Sequence, residues 1–265
     1  MPRLKDMKDF NFGQFVFTAV RPDTLGEPEY TIVNILTDMS GSVSGFADQL
    51  LEMEKQIIKD AQNPKKGYGR RLIVRLNRFN SQNNNGNQSE VYGFKEVKDV
   101  DIDADHQVFD PYGATPLLDT HFDGVNSVLE YCKELYRNDY QTNGLTVLIT
   151  DGLENSSHRA TIEKVKELND LAVTSEMLDS LKTIVIGINT STPVRYGETS
   201  FPFNTGDTIG DVLQWYSDQF VNCQYVDAGD IKEGTIGKIA GFISQSISST
   251  SQALGTGSPS QNLTF

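Results

Sequence analysis

The sequence predicts an α/β fold: a doubly wound, mostly parallel central sheet, flanked by helices, with one antiparallel edge strand. Three short apolar runs, at residues 30–36, 145–149 and 183–188, are rich in β-branched side chains, which is typical of parallel strands buried on both faces. Segments with apolar residues three and four positions apart lie between these runs and predict amphipathic helices. Alternation of this kind is typical of a parallel sheet with helices on both sides.

The remaining elements complete this pattern. We expect further strands at 71–76, 91–97 and 224–226, with 91–97 pairing antiparallel to 71–76 near one edge of the sheet. Helical periodicity predicts five helices, at 43–61, 116–135, 161–181, 209–220 and 231–247.

The chain divides into three parts by composition. Residues 1–29 contain four phenylalanines and are expected to form an extended segment that packs on the domain. Residues 30–248 form the α/β domain. Residues 249–265 carry no charged side chain, are rich in Ser, Thr and Gly, and are predicted to be a flexible tail.

Three other segments are interpreted as loops. Residues 80–89 are Asn-rich and predict a surface loop, and residues 190–210 are rich in Gly, Pro, Ser and Thr. The basic turn at 65–71 could bind phosphate, but a solvated loop is the preferred interpretation.

Net charge and cysteine content limit the classes of function that we expect for this protein. The formal net charge of −13 argues against nucleic-acid binding and against docking on anionic membranes. The two cysteines, Cys132 and Cys223, are expected to be reduced thiols. Neither a signal peptide nor a membrane-spanning run is evident, so we expect a cytoplasmic location.

The first candidate site lies at the end of the strand that is predicted to begin at residue 30. Asp38, Ser40 and Ser42 place short oxygen-bearing side chains at every second position. Mg²⁺ prefers oxygen ligands in an octahedral array with one or two carboxylates, so this loop could supply part of a metal site. Helix capping alone would also account for the same residues.

Two later residues extend the pattern. Thr115 stands before a predicted helix with Pro116 at its first turn, and Asp151 follows the apolar strand at 145–149. Ligands of open parallel sheets bind outside the carboxyl ends of the strands, so Asp38 and Asp151 are expected at the same edge. A plain N-cap for Thr115 and a turn for Asp151 are the alternatives.

The D-x-S-x-S motif at residues 38–42, the downstream Thr115 and the downstream Asp151 together resemble the metal-ion-dependent adhesion site of von Willebrand factor type A (VWA) domains. The resemblance covers about residues 30–248. It implies direct metal ligation by Ser40 and Ser42, ligation by Thr115 directly or through water, and mostly water-mediated ligation by Asp38 and Asp151. The implied metal is Mg²⁺, with Mn²⁺ or Ca²⁺ as alternatives.

The resemblance implies a protein-interaction module and not an enzyme. A partner protein would offer an Asp or Glu to the metal, and the resemblance suggests an AAA+ ATPase of the MoxR type as one such partner. The three histidines, His106, His121 and His158, form no nucleophile–base pattern.

Two other functions stay open. One is a structural component of a larger assembly, such as a virion or a secretion machine, in which the metal is incidental. The other is a Mg²⁺-dependent hydrolase of the haloacid dehalogenase type, which would need Asp where this chain has Ser40.

Overall fold

The computed structural model describes residues 6–12, 15–63, 71–82, 87–106, 108–175, 178–231, 233–253 and 263–265. These residues form an eight-stranded sheet in the order β1-β2-β5-β4-β3-β6-β7-β8. The strands are β1 (Met7–Phe12), β2 (Phe15–Val20), β3 (Glu29–Asp38), β4 (Leu72–Phe79), β5 (Gln88–Glu96), β6 (Gln141–Thr150), β7 (Ser180–Gly187) and β8 (Cys223–Asp227). The helices are α1 (Ala47–Gln62), α2 (Ile102–Asp105), α3 (Leu117–Tyr136), α4 (Ile162–Thr174), α5 (Ile209–Ser217) and α6 (Glu233–Ala253).

The centre of the sheet is parallel, which confirms the predicted fold class. Strands β4, β3, β6, β7 and β8 run in one direction, and β5 pairs antiparallel with β4. Thr37 on β3 lies opposite Ile149 on β6. Asp38 and Thr150 therefore follow at neighbouring strand ends.

Helices cover both faces of the sheet. Val33 and Val147 point to the side where α1 and α6 pack, in one apolar cluster with Ile57 and Ile243. Ile32 points to the opposite side, toward α3. Alternate residues of a strand face opposite sides of the sheet. Because helices cover both sides, the central strands are rich in apolar residues at successive positions.

The N-terminal phenylalanines belong to a hairpin that continues the sheet. β1 and β2 pair antiparallel, and β2 joins β5 through the single ladder pair Ala19 with Phe94. The Glu90 carboxylate strengthens this join by accepting the Thr18 hydroxyl at 2.6 Å. The antiparallel strand β5 therefore lies inside the sheet, and the hairpin forms the edge.

The largest differences from the predicted element boundaries lie at the ends of two helices. Helix α4 ends at Thr174 and not near residue 181, because Leu178 and Leu181 turn into the apolar cluster beneath the sheet and β7 begins at Ser180. Helix α6 continues to Ala253, beyond the predicted domain end. Most of the basic turn, residues 83–86 of the Asn-rich loop and residues 254–262 of the tail lie outside the described residues.

The end of the chain lies against the domain. Leu263 packs on the cluster beneath α1 and α6, and its carbonyl accepts a hydrogen bond from Gln224 Nε2 at 2.7 Å. Phe265 contacts the Phe242 ring edge-on. Among the described residues, no helix is long and apolar enough to span a membrane.

Candidate metal centre

Asp38 begins the candidate site at the last position of β3. Its side chain is fully buried. The Ser40 backbone N–H donates to Asp38 Oδ1 at 2.8 Å, and Thr150 Oγ1 donates to Asp38 Oδ2 at 2.6 Å. The carboxylate is thus held from its own loop and from the neighbouring strand end.

Ser40, Ser42 and Asp151 form a chain of hydrogen bonds beside Asp38. The hydroxyl oxygens of Ser40 and Ser42 lie 2.9 Å apart, and Ser42 Oγ donates to Asp151 Oδ1 at 2.7 Å. Ser40 is buried whereas Ser42 is exposed. The side-chain oxygens therefore lead from the end of the sheet to its surface.

Thr115 reaches the site from the loop before α3. The Gly41 N–H donates to the Gly113 carbonyl at 2.9 Å, and the Tyr112 N–H donates to the Met39 carbonyl at 3.0 Å. Gly113 has a φ of +79°, a conformation that favours glycine. These bonds place the loop that carries Thr115 directly against the serine loop.

Gly152 leaves room between Thr115 and Asp38. A β-carbon built on Gly152 would lie 2.9 Å from Thr115 Oγ1 and 3.6 Å from Asp38 Oδ2. Both oxygens therefore face the same small space. The structure thus brings Asp38, Ser40, Ser42, Thr115 and Asp151 to one end of the sheet.

The two carboxyl groups carry poorly compensated charge. Burial raises the pKa of the Asp38 carboxyl above its usual value. Burial, and secondarily the charge of Asp38, raise the pKa of Asp151 to about 7. No described cationic side chain forms an ion pair with either group. A bound cation would relieve both effects.

The donor set fits a small, hard divalent cation. It consists of two carboxylates and three hydroxyls, which suit Mg²⁺ or Mn²⁺ better than thiolate- or imidazole-seeking metals. The described residues contain no group of three or more His, Cys, Asp or Glu side chains placed to hold a metal. Any metal here therefore depends on the serine and threonine oxygens.

Three neighbours of the site lie outside the predicted motif. Thr150 binds Asp38, and Glu154 and Asn155 bind the segment around Thr115. Glu154 is buried although it lies in a loop. A loop Glu and Asn ordinarily indicate solvent exposure, so no local pattern distinguishes these two residues.

Comparison with known proteins gives structural likeness only. No family model and no curated protein sequence matches the chain. The pilus adhesin SpaC from Lactobacillus rhamnosus GG is similar with a TM-score of 0.57 and 12% identity, over 92% of this chain and 34% of the adhesin. The PilB minor pilin from Streptococcus sanguinis gives a TM-score of 0.55 and 16% identity, over 87% of this chain and 64% of the pilin.

A third similar structure names the fold. The von Willebrand factor type A protein from Catenulispora acidiphila has a TM-score of 0.50 and 11% identity, over 88% of this chain and 44% of that protein. The fold of the present chain is therefore VWA-like. The chain spans only about a third of the adhesin and less than two thirds of the minor pilin.

Proposed function

We propose that this chain is a protein-interaction module that binds a divalent cation, Mg²⁺ in the first place, and through it a carboxylate of a partner protein. The observation that carries the proposal is the pair of buried carboxyl groups, Asp38 and Asp151, which are linked through the Ser40 backbone N–H and the Ser40 and Ser42 hydroxyls at the carboxyl end of a parallel sheet. Ligands of open α/β sheets bind at that end. The VWA-like fold supports the same interpretation.

Each residue has a separate part in this proposal. Ser40, Ser42 and Thr115 would supply neutral oxygens, whereas Asp38 and Asp151 would supply negative charge. When bound, the cation would present a positive charge that attracts a carboxylate. Asp38 and Asp151 would act mostly through water, so they would neutralise the cation incompletely. An acidic side chain from a partner would complete the neutralisation.

The proposed role is binding and not catalysis. Ser40 occupies the position where a phosphatase of the haloacid dehalogenase type needs a second Asp. His121 donates or accepts a hydrogen bond with Tyr216 in the core, and burial lowers its pKa to about 3. A partner such as a AAA+ ATPase of the MoxR type, and a cytoplasmic location, stay predictions.

Direct metal titration tests the proposal. Isothermal titration calorimetry with Mg²⁺ and with Mn²⁺ should show one site in the wild type and none in Asp38→Asn, which keeps the shape of the side chain. Ser42→Ala should weaken binding, whereas Ser44→Ala should not. Ser44 is an exposed serine of the same turn and therefore a matched control. A wild type that binds neither metal would refute the proposal.

Partner binding is tested next. Affinity capture is carried out in Mg²⁺ and in EDTA, with Asp38→Asn as the control. A protein bound only by the wild type in Mg²⁺ should lose binding when one of its own Asp or Glu residues is changed to the amide. Equal binding in all three conditions would favour the structural alternative, in which other surfaces hold the assembly.

A further inference from the structure

Helix α3 begins without a capping side chain of its own. Its N-cap residue is Pro116, whose side chain makes no hydrogen bond. The first N–H groups of a helix need acceptors. The loop after β6 supplies them, because Glu154 Oε2 accepts the Leu118 N–H at 2.8 Å and Ser157 Oγ accepts the Asp119 N–H at 2.9 Å.

The helix in turn caps the loop. The Asp119 carboxylate, fully buried, accepts three successive backbone N–H groups at 2.8–3.1 Å, from His158, Arg159 and Ala160. We call the hydrogen bonds between residues 115–119 and residues 154–160 the reciprocal cap. It joins the segment that carries Thr115 to the segment that follows Asp151.

The reciprocal cap reaches Thr115 through Asn155. The Thr115 N–H donates to Asn155 Oδ1 at 2.8 Å, and the Asn155 N–H donates to the Thr115 carbonyl at 3.2 Å. Both backbone groups of Thr115 are thus bound by one residue that lies four positions after Asp151. These two bonds fix the backbone position of Thr115 relative to the loop that follows Asp151.

We propose that Asn155 and Glu154 are positioning residues that hold Thr115 in a fixed relation to Asp151 and thereby set the affinity of the metal site. This inference rests on the proposed function for the metal and on the reciprocal cap for the geometry. Residues that orient metal ligands commonly change metal affinity by about 10- to 100-fold when mutated. We assign Asn155 the larger effect, because it binds Thr115 directly.

Glu154 extends the same linkage to a third loop. Its backbone carbonyl accepts the Ser200 N–H at 2.9 Å and the Thr199 hydroxyl at 2.8 Å. These residues belong to the segment between β7 and α5, in which the Tyr196 side chain is almost completely exposed. The loop that follows Asp151, the head of α3 and this exposed segment therefore share one anchoring residue, Glu154.

Asn155 offers a clean test because its side chain is exposed and its replacement should not prevent folding. Asn155→Ala removes the acceptor for the Thr115 N–H, whereas Asn155→Asp retains it. Calorimetry with Mn²⁺ should show affinity about 10-fold weaker in Asn155→Ala and largely restored in Asn155→Asp. Asp211→Ala is the control, since Asp211 makes a comparable cap within the first turn of α5. It should bind Mn²⁺ as the wild type does.

Hydrogen exchange of the metal-free protein gives a second readout. Asn155→Ala should speed exchange of the Thr115 amide, and Glu154→Gln should speed exchange of the Leu118 amide, without changing exchange in the central strands. If both amides exchange in the variants at the same rate as in the wild type, the reciprocal cap is refuted. Accelerated exchange with unchanged Mn²⁺ affinity would overturn the positioning role. If the wild type does not bind Mn²⁺, the proposed function is refuted, and the positioning role with it. The hydrogen-exchange rates would still test separately whether the hydrogen bonds of the reciprocal cap form.

Discussion

Replacing Asp151 by Asn should stabilise the metal-free protein while it removes metal binding. Asp151 is largely buried, and its pKa is raised from 3.8 to about 7, first by burial and then by the charge of Asp38. An ionised Asp151 therefore opposes folding when no cation is present. Asparagine has nearly the same shape, and its amide oxygen can still accept the hydrogen bond from Ser42.

The size of the effect follows from the pKa. A rise from 3.8 to about 7 spans roughly three pH units, which at 1.36 kcal/mol per unit is about 4 kcal/mol. Burial of the amide in Asp151→Asn offsets part of this gain. We expect the free energy of unfolding to rise by about 2–4 kcal/mol at pH 8.

The direction in which stability changes with pH follows from the pKa values of Asp151 in the folded and unfolded states. Well below its unfolded pKa of 3.8 the Asp151 carboxyl is protonated in both the folded and the unfolded states, so its contribution to stability is constant. Between about pH 4 and 7 the folded state retains a proton that the unfolded state has lost, and stability falls as the pH rises. The advantage of Asp151→Asn should therefore be small at pH 4 and nearly complete at pH 8.

Urea unfolding in EDTA at pH 4, 6 and 8 measures this effect, with the exposed Asp170→Asn on α4 as the control. Adding Mg²⁺ should stabilise the wild type and leave Asp151→Asn unchanged. A destabilised Asp151→Asn at pH 8, or a gain that is equal at pH 4 and pH 8, would refute the reasoning.

Three other changes test the site and the core. Gly152→Ala should weaken Mn²⁺ binding about 10-fold in calorimetry, because its β-carbon would approach Thr115 Oγ1 to 2.9 Å; unchanged affinity would contradict the crowding. Glu90→Gln should cost about 3–5 kcal/mol in urea unfolding, since it leaves the buried Arg75 without its ion pair; a loss below about 1 kcal/mol would show that the pair is dispensable. Burial lowers the pKa of His121 to about 3, so stability should fall as the pH drops from about 6.5 toward 3, and less steeply in His121→Gln; equal slopes in acid unfolding would contradict this.

Local patterns predict the central strands well. The run at residues 30–36 is rich in apolar residues on both faces because helices cover both faces of β3, and that burial is independent of which strand lies beside it. The same is true of the runs within β6 and β7. The candidate loop at residues 38–42 is predictable for a similar reason, since Asp38, Ser40 and Ser42 are neighbours in sequence.

Local patterns fail where a helical spacing of apolar residues continues beyond the end of the helix. Leu178 and Leu181 continue the three-residue spacing of α4, and the sequence therefore predicts a longer helix. Their side chains instead join the cluster beneath the sheet, with Leu181 on β7. The cluster, and not the spacing, decides where the helix ends. The N-terminal hairpin is a comparable case, because the pairing of Ala19 with Phe94 joins distant parts of the chain.

The sequence by itself determined the α/β class, the direction of the central strands and the residue types of a possible metal loop. These depend on burial and on neighbours within a few positions. Only the tertiary structure decided that Asn155 holds Thr115 and that Asp119 caps the loop after Asp151. Those contacts join residues about 40 positions apart, and they exist because β3 and β6 lie side by side in one register. The sequence determines how many hydrogen bonds a side chain can make, whereas the tertiary structure determines which groups it bonds.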